Sequence, residues 1–284
     1  MKFDLHCHTK EGSIDSKVSV REFADRFIEL GYDGFMIADH NSYRGCRAWD
    51  VIKDDPKYRS FTVIRGIEYD TKDAGHVLIV MPDDVYLGIF RIRGMRLRKT
   101  IKLVHKFGGI IGLAHPFGAA GSSAMGFKLM DMDLIAQLDF IETFNTCESP
   151  LSNELAKALA DKYELPGFAG SDSHVTDYIG MAATIVNAAD FSAGFNGLTA
   201  QINCNNDLIA AVQQYNTANT NKPNISNYAA PFITAIGTER KETKKAKRKE
   251  HWTGVLGFKI YNRGIGKLVC PYRKYRHHRL LKVF

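Results

Sequence analysis

Apolar runs of strand length alternate with stretches of helical periodicity along the first two thirds of the chain. Seven runs, at residues 2–7, 34–39, 61–68, 76–81, 110–115, 139–144 and 167–172, have the length and side-chain content of β-strands. Between most of them lie amphipathic segments, at 18–30, 44–53, 95–107 and 151–163, which predict helices. The alternation predicts an α/β body with a mostly parallel sheet, and the short step from the third run to the fourth predicts a hairpin. A further strand at 182–186 and a capped helix at 207–212 are expected to pack on this body.

The ionisable residues follow the same rhythm. His8, Asp39, His40, Glu68, His115, Glu142, Asp172 and His174 all fall at or just past the C-terminal end of a predicted strand. In a (β/α) barrel those ends share one rim, so residues far apart in sequence converge there. Seven strands predict a barrel one unit short of the usual eight.

The chemistry starts at His6 and His8, which a period of two places on one face of a strand, with Cys7 on the other. Alone, such a pair is equally well explained as two hydrogen-bonded core histidines. Glu68, His76, His115, Asp172 and His174 break the tie, because none has a compensating Arg or Lys beside it. Burying these groups together is costly unless a cation neutralises them, which points to bound divalent metal. Asp39 and Asp4 are read either as carboxylates that orient an imidazole or as strand-end acceptors. His105 reads as a structural residue on a helix.

The stretches His-Cys-His-Thr-Lys-Glu-Gly-Ser-Ile-Asp (6–15), Ala-Asp-His-Asn (38–41), Gly-Ile-Glu (66–68), Gly-His-Val-Leu (75–78), Ala-His-Pro-Phe (114–117) and Gly-Ser-Asp-Ser-His (170–174) resemble, in order and spacing, the motifs of the polymerase and histidinol phosphatase (PHP) family of metal-dependent phosphoesterases. The resemblance covers about residues 1–215 and implies a distorted (β/α)7 barrel with two or three divalent metals at the C-terminal ends of the strands. It implies one metal on His6, His8, Glu68 and Asp172, with Glu68 bridging to a second that takes His76 and His115. A third would take Asp15, His40 and His174. Mixed nitrogen and oxygen ligands suit manganese, zinc or iron. Glu142 is a further candidate, either as a ligand, as a group orienting one, or as a partner of Asn145. The activity expected is hydrolysis of a phosphate ester by metal-activated hydroxide, with Asp172 or His174 handling protons. Lys10, Arg44 and Arg47 follow ligand motifs and are candidate substrate contacts, exposed solubilising charge being the competing reading. Many relatives carry Arg after His-Pro-aromatic, whereas this chain has Gly118. Only 47 residues separate Glu68 from His115, too few for a large inserted cap, so the cleft is expected to be open.

Composition is ordinary for a globular protein, 284 residues with 45% hydrophobic and 24% charged. No apolar run reaches the length of a membrane span, and five cysteines without a CxxC pair suggest reduced thiols, so a cytoplasmic protein is the expectation. The formal charge of +7 is unevenly divided. Residues 238–284 hold 15 Lys or Arg against three Glu, leaving the body acidic at −5. Five asparagines within residues 216–227 mark 216–237 as a linker. The basic extension at 238–284 interleaves aromatic and cationic residues, which fits a nucleic-acid contact, an anionic membrane surface or a solvated tail. Any nucleic-acid contact is expected to be led by this tail. The readings carried forward are a phosphatase of nucleotides or other small phosphomonoesters, a nuclease guided by the tail, and a non-catalytic regulatory module; the complete ligand set speaks against the last.

Overall fold

The computed structural model describes residues 1–118, 132–186, 202–220 and 233–237. In chain order its main elements are β1 (Lys2–Cys7), α1 (Val20–Glu29), β2 (Gly34–Ile37), α2 (Arg44–Ile52), β3 (Thr62–Asp70), β4 (His76–Val80), α3 (Leu97–Lys106), β5 (Ile110–Leu113), β6 (Phe140–Asn145), α4 (Pro150–Tyr163), β7 (Gly167–Gly170), β8 (Ala182–Val186), α5 (Asn205–Thr220) and β9 (Ile233–Gly237). Local signals set several boundaries. Ser19 and Glu22 form a reciprocal capping box at the start of α1, and Ser149 caps α4 ahead of Pro150.

The strands form one sheet in the order β7-β6-β5-β4-β3-β2-β1-β8-β9. β1, β2 and β3 pair in parallel, as do β5, β6 and β7, while β4 runs antiparallel to both its neighbours. The sheet curls into a nearly closed barrel of the (β/α)7 type. Just past β7, Asp172 donates its backbone N–H to the His6 carbonyl at 2.9 Å and His8 donates to Ser173 O at 3.1 Å, which joins β7 to β1 at the rim. Lower down, β8 is antiparallel to the first residues of β1, and the Thr184 hydroxyl bonds both backbone groups of Ala169 on β7.

The reversal of β4 matters for function. His76 opens its strand whereas the other candidate ligands, apart from Asp15 in the loop after β1, lie near or just past the ends of theirs, and only an inverted strand carries its first residue to the common rim.

The barrel interior is layered. Phe3, Leu5, Met36, Ile64, Val80, Ile110, Phe140 and Phe168 belong to one apolar cluster, with Leu208 and Val212 of α5 packed into it. Asn205 ties the start of α5 to β3 and to the end of β4 through three hydrogen bonds of 2.8 Å with Arg65 N, Arg65 O and Met81 O. Gly170 on β7 allows the polar layer above to approach, since a Cβ there would stand 2.2 Å from the His6 Cβ. Outside the barrel, Phe23 and Phe27 of α1 pack on Phe35 of β2.

Asp4 takes the acceptor reading of its two, and the linker expectation needs correction. Asp4 pairs with Phe35 and Cys7 with Ile37, so β1 advances three residues while β2 advances two. This bulge puts Asp4 on the same outward side as Cys7, away from His6 and His8, and its carboxylate accepts from Ser171 N and His6 N rather than from an imidazole. The asparagine-rich segment is not wholly a linker. α5 continues through Thr220, with Asn216 donating from its side chain to Asp139 O at 3.0 Å, and 233–237 forms β9 on β8. Tertiary hydrogen bonding here overrides the turn preference of asparagine. The remainder of the predicted linker and the basic extension 238–284 lie outside the described residues.

Candidate functional site

Ligand-type side chains from β1, β3, β4 and the ends of β2, β5 and β7 converge on the rim around one carboxylate, Glu68. Its Oε1 lies 2.8 Å from His76 Nδ1, 2.9 Å from His115 Nε2 and 3.6 Å from His6 Nε2. Its Oε2 lies 2.8 Å from His40 Nδ1 and 3.5 Å from His8 Nε2, yet no well-aligned hydrogen bond reaches it although it is buried. Asp172 Oδ1 stands 3.1 Å from His8 Nε2 and 3.6 Å from His6 Nε2. On the outer side, Asp15 Oδ2 faces His40 Nε2 at 3.5 Å and His174 Nε2 at 3.4 Å. The residues named as ligands from the sequence thus lie around this rim, and the ligand atoms come within 4.8 Å of one another in the groupings His6/His8/Glu68, His40/Glu68/His76 and His8/His40/His174. His40 faces both Glu68 and Asp15, so it stands between two of these groupings.

The hydrogen bonds behind the ligands show what the cluster is built to receive. His6 Nδ1 faces Glu142 Oε1 at 2.8 Å, and a carboxylate can only accept, so His6 carries a proton on Nδ1 and presents Nε2 to the cluster. The Ser13 hydroxyl donates to Asp39 Oδ1 and therefore accepts from His8 Nδ1, which leaves the His8 lone pair on Nε2. These two Nε2 atoms stand 3.0 Å apart, with carboxylate oxygens on the same side. At that distance the two nitrogens share one proton in a hydrogen bond or, once it is lost, direct two lone pairs at a bound cation. Ligand atoms about 2.1 Å from a metal and at right angles to one another are about 3.0 Å apart. His174 donates from Nδ1 to the Asp172 carbonyl at 2.9 Å, which likewise turns its Nε2 toward Asp15. The donor set therefore fits divalent metal.

Electrostatics point the same way. Burial disfavours the charged form of Glu68, but His76 and His6 outweigh it and hold the carboxyl well below the ordinary range. Asp172 is depressed in the same fashion, burial being outweighed by His6 and His8. Burial opposes protonation of His115, yet Glu68 pushes it up to about 9. At His8 burial prevails and the imidazole drops to about 3. The buried carboxylates demand positive charge, which protons or metal ions can supply in competition.

Backbone geometry supports the placement. His115 and Asp172 have positive φ, 29° and 52°, in the left-handed region that non-glycine residues rarely occupy. Such conformations concentrate where a site over-determines its side chains.

Glu142 resolves as a positioning group. Besides His6, it accepts from His115 N at 2.6 Å and Asn145 Nδ2 at 3.2 Å, so one carboxylate fixes the ring of one ligand and the backbone of another. Glu142→Gln is expected to weaken metal affinity about 10- to 100-fold while leaving the fold intact, measured by metal titration with a fluorescent chelator as competitor. Asp39 touches no imidazole. It accepts from Thr9 N, Gly45 N and the hydroxyls of Thr9 and Ser13, holding the 9–13 loop, and reaches His8 only through Ser13. A Cβ on Gly12 or Gly45 would collide with the Asp39 carboxylate, at 1.9 and 2.3 Å from Oδ2.

Sequence reasoning missed Ser13 and the full role of Asn145, whose Nδ2 also lies 3.3 Å from Asp172 Oδ2. Of the proposed substrate contacts, Lys10 is exposed and faces Glu22 at 3.7 Å, and Arg44 and Arg47 are exposed on α2. None of the three forms a hydrogen bond or ion pair with a ligand side chain. His105 pairs with Asp139 at 2.9 Å on the outer surface, a structural role as expected.

Comparison with known proteins agrees with this architecture. The family model for the PHP domain matches residues 4–137, and that for the PHP-associated segment matches 150–214. No curated protein matches the chain in sequence. Among solved structures, PsfC from Pseudomonas syringae PB-5123 is 14% identical, with a TM-score of 0.58 over 90% of this chain and 96% of that one. A candidate metal-dependent phosphoesterase from Bifidobacterium adolescentis is 16% identical, with a TM-score of 0.50 over 75% of this chain and 96% of that one. Endonuclease Q, solved with a 27-mer duplex carrying an abasic lesion, is 15% identical, with a TM-score of 0.53 over 75% of this chain and 56% of that one. At these identities the likeness is one of fold. The chain thus carries a PHP domain over residues 4–137 and a PHP-associated segment over residues 150–214.

Proposed function

We propose that the protein is a metal-dependent hydrolase of phosphate esters, acting on a nucleotide or another small phosphomonoester. The observation that carries this reading is the ring of five imidazoles around the single buried carboxylate of Glu68, flanked by Asp172 and Asp15. His6, His8, Glu68 and Asp172 would hold one ion, Glu68, His76 and His115 a second, and Asp15, His40 and His174 a third. Such ions, when bound, supply Lewis acidity toward a phosphoryl oxygen and lower the pKa of water. The mixed donors suit manganese, zinc or iron.

The chain's own residues would do the rest. Glu142 and Ser13 keep the His6 and His8 rings in the tautomer that presents Nε2. His174, a quarter exposed and tethered by Nδ1 to the Asp172 carbonyl, turns Nε2 toward Asp15, where it would either hold the third ion or, with only two ions bound, give a proton to the departing oxygen. Asp172 holds His6 and His8 on one oxygen and meets Asn145 on the other.

A nuclease is the second reading, favoured by the fold shared with Endonuclease Q and by the cationic, aromatic composition of 238–284. Among the described residues no helix is long and apolar enough to cross a membrane.

The deciding experiment is phosphate release by manganese-loaded protein from mononucleotides and from a short oligonucleotide, with Asp172→Asn as the blank for contaminating phosphatase. Release from mononucleotides alone supports the small-ester reading. Preferential degradation of the oligonucleotide turns it to nuclease, and activity equal to the blank on both overturns the hydrolase.

A further inference from the structure

Residues 85–130 contain eight Lys or Arg and no Asp or Glu, inside a body whose overall charge is negative. A merely solvated helix face mixes signs. α1 does so with Arg21, Glu22, Asp25, Arg26 and Glu29, and α4 with Glu154, Lys157, Asp161 and Lys162. α3 does not. It buries Leu97, Thr100, Ile101 and Val104 and carries no acidic residue at all, with Lys99, Lys102 and Lys106 exposed. The segment leading into it exposes Arg91, Arg93 and Arg96, with Ile92 67% exposed between the first two.

This cationic run is fixed to the rim of the ligand cluster. The Tyr69 hydroxyl donates to Ile92 O at 2.8 Å and accepts from Met95 N at 2.9 Å. Gly94 N donates to Asp70 O at 2.8 Å, Lys72 N to Met95 O at 3.0 Å, and Leu97 N to Asp73 Oδ1 at 2.9 Å. The anchors at 69–73 are the residues by which the chain leaves Glu68 and turns back toward His76, two central members of the cluster. Arg91, Arg93 and Arg96 therefore stand beside the rim, and α3 leads away from it. The facing carboxylates are few. Among the described residues Asp70 lies 3.7 Å from Arg93, Asp73 is engaged at the start of α3 and Asp139 pairs with His105 near its end, so the run keeps a positive excess. α3 alone extends about 15 Å, the rise of about four nucleotides at roughly 3.4 Å each.

We propose that Arg91, Arg93, Arg96 and the lysine face of α3 form a docking surface for a nucleic-acid backbone, which it delivers to the ligand cluster at the rim. A mononucleotide needs one anion anchor within the site, whereas a linear succession of cations matches a linear succession of phosphates. The inference takes the second, nuclease reading of the site over the small-ester one, and rests on the hydrolase reading for the cleavage step, but not for the binding. It differs from the expectation that such contact is led by residues 238–284, since these cations belong to the barrel itself.

The test uses the full chain in EDTA, which separates binding from cleavage, and fluorescence anisotropy of a labelled single-stranded DNA of about 20 nucleotides. Three proteins of matched melting temperature are compared: wild type, the triple variant Arg91→Gln/Arg93→Gln/Arg96→Gln, and a tail variant with Lys241, Lys244, Lys245, Lys247 and Lys249 changed to Gln. The rim variant is expected to bind about tenfold or more weakly at 50 mM salt, its plot of log affinity against log salt being shallower by about 3. Its manganese-dependent hydrolysis of para-nitrophenyl phosphate is expected to match wild type. Unchanged DNA affinity in the rim variant, or its loss in the tail variant alone, overturns the proposal. So does wild-type binding to phosphatidylserine vesicles without binding to DNA. Were the ester not hydrolysed while DNA binding depended on the three arginines, the hydrolase reading would fall and the docking surface would stand.

Discussion

Glu68→Gln is expected to reduce turnover by about a thousandfold or more and to strip metal from the protein. The substitution keeps the size and shape of the side chain, so the buried packing survives. What it removes is charge. Among the described residues Glu68 is the only carboxylate that lies within 3.6 Å of His6, His8, His40, His76 and His115 together. A neutral amide also turns an NH2 donor toward imidazole nitrogens whose lone pairs are needed for a cation. Two of the three ligand groupings share this residue, so both are disabled at once. Lewis-acid stabilisation worth several kcal/mol corresponds to about three powers of ten in rate. Asp172→Asn touches one grouping only and is expected to retain metal in the second. Metal content by plasma mass spectrometry, phosphate release and circular dichroism on the same preparations decide the matter. A folded Glu68→Gln protein with wild-type metal content and more than a tenth of wild-type turnover would contradict the assignment of Glu68 as the bridging ligand.

The convergence of the candidate ligands was legible in the sequence because barrel topology converts a one-dimensional regularity, polar residues at strand ends, into a shared rim. His76 fitted that regularity only after β4 proved to be reversed, which the hairpin spacing between residues 68 and 76 had already suggested. Groups that act through others were harder to read. Glu142 meets His6 across 136 positions and its role depends on which ring nitrogen it faces, information that no local pattern contains. Of the two readings open for Asp4 the acceptor one holds, because a bulge between it and Cys7 breaks the period of two that would have turned it toward an imidazole. Asp39 stands next to a ligand in sequence but turns toward the 9–13 loop, since the glycines at 12 and 45 open space on that side. The cationic face of α3 was present in the sequence as an acid-free run. Averaging charge over the whole body hid it, whereas the fold shows that its first arginines lie beside the rim.

Adding manganese, zinc or ferrous iron to metal-free protein is expected to raise the melting temperature by about 8 to 16 °C. A ligand that binds only the folded state at a thousandfold excess over Kd stabilises by about 4 kcal/mol, and a domain of this size shifts by about 2 to 4 °C per kcal/mol. The unfolded chain offers no competing site of comparable quality, because the ligands come from strands spread over residues 6–174 and meet only when the barrel closes. The size of the increment should depend on pH in a defined direction. Metal binding requires neutral imidazoles and ionised carboxylates, and in the metal-free cluster several imidazoles are held protonated by Glu68, Glu142 and Asp172. Binding must therefore release protons, so the increment is fully present in the alkaline range and shrinks as pH falls. Differential scanning fluorimetry across pH, with and without metal, measures it directly. Glu68→Gln separates specific from general effects of the ion, since a variant that lacks the bridge should lose most of the increment. An equal rise in the variant and the wild type would assign the stabilisation to some other part of the surface. No rise with any of the three metals would mean that the buried imidazoles and carboxylates neutralise one another through protons alone, and the reading of the cluster as a metal centre would then fail.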